Sequence, residues 1–222
     1  MGEHTTLKAS DGFELDAWRV DPTGAPLGAI VVIQEIMGVN HHIRAVADLY
    51  AAQGYLAIAP ALFDRAEPGF EVGYDGPSVQ RGMAIAGKLD RADMLLDVAG
   101  AIERVKDAGK VGIVGYCLGG TIAYLAACRL PGLAAASCYY GSGVLAAKDQ
   151  SPKIPTILHF GAKDAHIPLA GVKEFEAAHP GLPVYVYDAD HGFNCDERGS
   201  YDAPSAALAR TRTLDFFRKM VG

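Results

Sequence analysis

The chain has 222 residues, half of them apolar, with 20 Lys and Arg against 26 Asp and Glu for a net charge of −6; that is enough apolar material to bury a substantial core without covalent staples. The acidic balance and the lack of a Lys/Arg cluster exclude an obvious nucleic-acid surface, and no apolar run reaches the length of a membrane span. Four cysteines, Cys117, Cys128, Cys138 and Cys195, form no C-x-x-C pair and no framework spacing, which argues against a disulfide scaffold and for a reducing compartment.

The opening "MGEHTTLKAS" has no basic region followed by an apolar stretch, so the expectation is a cytoplasmic protein. "FELDAWRV" then alternates like an edge strand. "AIVVIQ" and "YLAIAPAL" are short apolar runs of the fully buried kind, and "NHHIRAVADLYAAQG" between them has helical spacing, with Asn40 as N-cap and Gly54 as stop. Together they make a βαβ unit. Residues 64–78 carry Pro68, Gly69, Gly73, Gly76 and Pro77 and predict a long irregular excursion, followed by a helix that Arg81 opens and that runs through about Ala99–Val105. Val111–Val114 reads as a buried strand and Gly119–Ala127 as an apolar helix. Beyond them come the strands "AAASCYYG", "PTILHFG" and "LPVYVYDAD", helical segments between them, and the amphipathic "APSAALARTRTLDFFRKM". No linker or repeat divides the chain, so one domain over residues 1–222 is expected, an α/β fold whose mostly parallel sheet is covered by helices on both faces. Ligands of such sheets gather at the carboxyl ends of the strands.

One turn stands out there. Gly115, Cys117 and Gly119 in "VGIVGYCLGGTIA" make a G-x-C-x-G reversal between a strand and a helix, the nucleophile-elbow pattern usually written with serine. A helix N-terminus aimed at a thiol favours its thiolate and can stabilise an oxyanion. Two later strand-end loops hold the partners such a nucleophile needs: Asp164 after "TILHFG" and His191 after "VYVYDAD". Alone, each is an ordinary loop residue. In the order nucleophile, acid, histidine they match the chain order of α/β-hydrolases. The general rule for that fold puts the oxyanion-hole N–H groups at Leu118 and Ile36.

The segments "VVIQEIMGVNHHIRAVADLYAAQGYLAIAPALFDR", "KVGIVGYCLGGTIA", "CYYGSGV", "PTILHFGAKDAHIP" and "DADHGFNCDERGSYDAPSAALARTRTLDFF" resemble the dienelactone hydrolases, or carboxymethylenebutenolidases, over nearly the whole chain. The resemblance implies an α/β-hydrolase that opens a lactone or ester without a cofactor, with Cys117, Asp164 and His191 as the triad and Glu35 of "QEIMG" beside the thiol, holding it neutral until substrate arrives. It also implies two arginines for a substrate carboxylate. Arg81 matches one of them; where the other belongs, four residues after His191, this chain has Cys195, with Arg198 three residues further on. A general carboxylesterase, a thioester or C–C hydrolase, and a catalytically silent binding module stay open as alternatives. The partner expected is a small molecule, with no nucleic acid and no membrane, bound by a monomer or small homo-oligomer. No metal is expected: His41 and His42 are adjacent and point apart on a helix, His159 lies in a strand, and His166 and His179 have no partner at ligand spacing.

Overall fold

In the computed structural model, which describes residues 2–222, a single eight-stranded sheet runs in the order β1-β2-β4-β3-β5-β6-β7-β8. The strands are β1 (Glu3–Lys8), β2 (Glu14–Val20), β3 (Ala29–Ile33), β4 (Leu56–Pro60), β5 (Val111–Tyr116), β6 (Leu133–Tyr139), β7 (Thr156–Gly161) and β8 (Val184–Tyr187). The pairs β1/β2 and β2/β4 are antiparallel, and every pair from β4 through β3 to β8 is parallel. The three central strands β3, β4 and β5 are buried along their whole length, which is why their sequences are unbroken apolar runs rather than alternations.

Helices α1 (His41–Ala52), α2 (Gly76–Ala86), α3 (Arg91–Val105), α4 (Leu118–Arg129), α5 (Gly143–Ala146), α6 (Leu169–Ala178) and α7 (Ala203–Met220) connect and cover the strands. Asn40 caps α1 as expected, its side chain accepting from Ile43 N–H, and the chain leaves through Gly54 at φ +95°. Ten residues of α4, from Gly119 to Cys128, are buried, so this helix is central and apolar all round. α1 and α7 meet on one face of the sheet through Tyr50 and Phe217.

Two expectations need correction. The edge strand is β1, drawn from the polar "EHTTLK", and "ELDAWRV" is the second strand in; β1 follows no strong pattern of its own and is stabilised by six residue pairs with β2. The single helix expected to open at Arg81 and run to Val105 is two helices. Asp75 caps the first at Ser78 N–H, six positions before Arg81, and Asp90 caps the second at Ala92 N–H, so the intervening Gly87–Asp90 is a break with its own start signal.

The excursion before α2 folds back over the loop that follows β3. Asp64 accepts from Asp16 N–H at 2.8 Å and Gly69 N–H at 2.9 Å, Val72 N–H donates to Met37 O at 3.1 Å, and Gly38 bridges Glu71. Residues 35–39 are thereby clamped between the sheet and the excursion. The strand order reverses here: from β3 the chain moves outward to β4, and from β5 it moves the other way to β6. The loops after β3 and β5 diverge at that point, opening the crevice in which α/β sheets place their ligands.

Candidate active site

Cys117 occupies the reversal between β5 and α4 with φ 55° and ψ −115°, a backbone conformation that costs an L-residue about 1–3 kcal/mol. The flanking glycines make it accessible: a Cβ at Gly115 would collide with the Gly119 carbonyl, and one at Gly119 with the Ile33 carbonyl. The turn thus presses β5, α4 and the end of β3 together and raises the thiol at their junction.

His191 and Asp164 meet it there. His191 Nε2 lies 3.2 Å from Cys117 Sγ, and His191 Nδ1 lies 2.7 Å from Asp164 Oδ2. The other carboxylate oxygen, Oδ1, accepts from His166 N–H at 2.8 Å. Burial works to raise the Asp164 carboxyl, but the hydrogen bond from His191, its charge and the His166 N–H outweigh it and hold the carboxyl below the usual range. For His191 burial works downward; the hydrogen bonds to Asp164 and then Cys117 overcome it and make the ring a stronger base than a free imidazole. The arrangement stabilises a proton on His191 next to the sulfur, as a thiol nucleophile with a histidine base requires. Two other acids near the loop do not compete for the ring: Asp190 accepts from the His191 backbone N–H at 2.6 Å, and Asp188 pairs with Lys163 at 2.9 Å.

Leu118 is the first residue of α4, so its N–H has no acceptor within the helix. Ile36, on the loop after β3, also donates to no backbone acceptor among the described residues. Helix α2 seats against this loop at Gly82, where a Cβ would be driven into the Ile36 carbonyl. A Gly82→Ala protein should therefore displace the Ile36 peptide and lower kcat by about 10- to 100-fold with a smaller change in KM, the scale expected of a misplaced oxyanion donor. Steady-state kinetics on a simple activated ester checks this; full kcat would remove Ile36 from the site.

Glu35 is fully buried, but its hydrogen-bonding partner is Arg198 rather than the thiol: Oε1 accepts from Arg198 Nη1 at 3.2 Å, while Oε2 has no partner. Arg198 is only 20% exposed at its side chain and also lies 5.8 Å from the Tyr74 ring centroid. It reaches Glu35 because the loop after β8 coils on itself, with Arg198 N–H donating to Cys195 O at 3.1 Å and Ser200 Oγ to His191 O at 2.6 Å. Spacing counted from His191 points to Cys195 and passes over Arg198; the one signal for it is a lone cation in a loop of acids and glycines. Arg81 is placed differently. It sits inside α2, 62% exposed, paired with Glu67 at 3.2 Å and lying over the Phe70 ring at 5.3 Å, and it contacts none of the four residues Glu35, Cys117, Asp164 and His191. Cys195 is fully buried, and burial followed by the charge of Glu35 pushes its thiol up to about 12. The described residues with metal-ligating groups gathered close together, His42, Cys195 and Asp196, include no member of the triad.

A profile of the dienelactone hydrolase family matches residues 15–221. A carboxymethylenebutenolidase of Pseudomonas putida is 35% identical over 230 residues, covering 97% of this chain and 96% of that protein. A protein of Synechocystis provisionally named carboxymethylenebutenolidase is 38% identical over 210 residues, covering 85% of each. Among solved structures, one from Klebsiella pneumoniae provisionally named a dienelactone hydrolase is 31% identical and superposes with a TM-score of 0.85 over 99% of both chains.

Proposed function

The chain belongs to the dienelactone hydrolase family, a hydrolase family acting on ester and lactone bonds, and we propose that it does so through an acyl-cysteine intermediate on Cys117. The observation that carries this reading is the unbroken contact series from Cys117 Sγ through the His191 ring to Asp164. Sγ attacks the carbonyl carbon as its proton passes to His191 Nε2. The oxyanion that forms is held by the N–H groups of Leu118 and Ile36. When the C–O bond breaks, His191 returns the proton to the departing enolate or alkoxide; it then takes a proton from the water that cleaves the thioester. Asp164 keeps Nδ1 protonated throughout, which leaves Nε2 directed at the sulfur.

The substrate class is a lactone bearing a free carboxylate, of the dienelactone type. Arg198 supplies the guanidinium that the family pattern places at the position of Cys195; Arg81 is turned to Glu67 and Phe70 on the exposed side of α2 and is not counted as a ligand of that carboxylate. A carboxylate arriving at Arg198 competes with Glu35 for the same N–H groups, so substrate binding and the release of Glu35 are one event.

Intact-mass measurement after brief exposure to an activated ester tests the chemistry: one acyl group should appear on the wild-type chain and none on Cys117→Ala. Equal labelling of both proteins overturns the cysteine intermediate. Turnover of a carboxylate-bearing lactone against its methyl ester tests the substrate class separately. The acid should be preferred, and preference for the neutral ester would leave a general esterase using the same triad.

A further inference from the structure

We propose that His42, Cys195 and Asp196 form a binding site for one soft divalent cation of the zinc class, next to the catalytic centre but separate from it. A ring nitrogen, the thiol sulfur and a carboxylate oxygen of these residues all lie within 4.8 Å of one another. They come from two distant parts of the chain: His42 from the first turn of α1, Cys195 and Asp196 from the loop after β8. Counting sequence spacings therefore could not bring them together.

Three observations point to a ligand. First, His42 is buried, and its Nε2 has no hydrogen-bond partner; an orphaned buried polar nitrogen is uncommon and calls for one. Its other nitrogen, Nδ1, lies 3.1 Å from Asp196 Oδ1; for an ion on Nε2 this exposed carboxylate leaves Nδ1 and swings round to the metal, because it cannot serve both sides of the ring at once. Second, the site is closed on one side and open on the other. His42 and Cys195 are buried while the Asp196 side chain is 71% exposed, so an ion can enter over Asp196, and that same flexible side chain can close on it. With metal bonds of about 2.0–2.3 Å, tetrahedral ligand atoms stand roughly 3.3–3.8 Å apart, so closure by about 1 Å suffices. Third, the donor set is selective. Nitrogen and sulfur beside one carboxylate suit zinc or cadmium and not calcium or magnesium, which require oxygen ligands. Buried Glu35 adds negative charge on the Cys195 side, partly countered by Arg198. On binding, the cation displaces the Cys195 thiol proton, which leaves to solvent, and the thiolate becomes the sulfur ligand.

The placement has a consequence for the catalytic loop. Cys195 O accepts the Arg198 N–H, so a cation held by Cys195 and Asp196 ties α1 to the turn that carries the Glu35-bound guanidinium. The site does not depend on the catalytic reading.

Titration of the full-length Cys117→Ala protein with Cd²⁺ tests it, because the catalytic thiol can then take no part. One equivalent should bind and produce the ultraviolet thiolate-to-cadmium band, with Zn²⁺ competing for the same site. Cys195→Ser in that background should abolish the band, and His42→Ala should weaken binding at least tenfold. Asp196→Asn changes an exposed side chain and so keeps the fold; it should weaken binding severalfold. Absence of the band in Cys117→Ala, or its persistence at equal strength in the Cys195→Ser double variant, overturns the site; the latter result would assign the ion to Cys128 or Cys138.

Discussion

Replacing Asp164 with Asn should lower kcat by about 10⁴-fold while leaving KM and the fold nearly unchanged, the loss expected when a triad histidine is held in the wrong tautomer. The reason lies in what each carboxylate oxygen touches. Oδ1 accepts from the His166 N–H at 2.8 Å and Oδ2 faces His191 Nδ1 at 2.7 Å. An asparagine must keep its carbonyl oxygen toward the His166 N–H, because two donors cannot face each other. Its amide N–H groups then point at Nδ1, which has to become the acceptor. The ring proton moves to Nε2, 3.2 Å from the sulfur, and the base that should receive the thiol proton is already occupied. Urea unfolding alongside the kinetics separates this from structural damage. Turnover within tenfold of wild type would show that Asp164 is not the acid, although no other carboxylate reaches Nδ1.

The second large effect concerns stability. Arg198→Met should destabilise the protein by about 3–5 kcal/mol, because it leaves the Glu35 carboxylate buried without its countercharge. Glu35 is fully buried and already has one unpartnered oxygen, so it has little else to turn to. The double variant Glu35→Gln/Arg198→Met should recover most of that loss, since it removes the charge along with its partner. Glu35→Gln alone should cost much less than Arg198→Met alone. Urea midpoints for the four proteins give the coupling directly. A coupling near zero would mean that the two side chains do not depend on one another, and Arg198 would then need another reason for being half-sequestered in the site. On the functional side, Arg198→Met should also abolish the preference for a carboxylate-bearing lactone over its methyl ester.

The sequence alone determined the elements whose signals are local. The buried strands β3, β4 and β5 read as apolar runs because both their faces are covered, and α1 was bounded by its own cap and stop. The elbow was legible because a positive-φ residue under close backbone approach needs glycines on either side, here Gly115 and Gly119. Cys117, Asp164 and His191 could be picked out together because a parallel sheet puts the loops after β5, β7 and β8 at one edge, whatever lies between them.

The folded chain alone settled those long-range side-chain contacts that no local pattern or motif marks. β1 exists as a strand because β2 offers it an edge, and nothing in "EHTTLK" requires that. Glu35 was expected to face the thiol; its fully buried carboxylate takes instead the nearest cation that can reach it, and the coil of residues 191–201 delivers Arg198, seven positions from His191 rather than four. Arg81 matched by position yet lies on the solvent side of α2, where Glu67 and Phe70 hold it. The gathering of His42 with Cys195 and Asp196 depends on a loop docking against a helix more than 150 residues earlier in the chain. Periodicity and turn chemistry act over a few residues and leave their mark in the sequence, whereas the pairing of buried charges is settled by which groups the finished fold brings within reach of one another at low dielectric, where an unpaired charge costs the most.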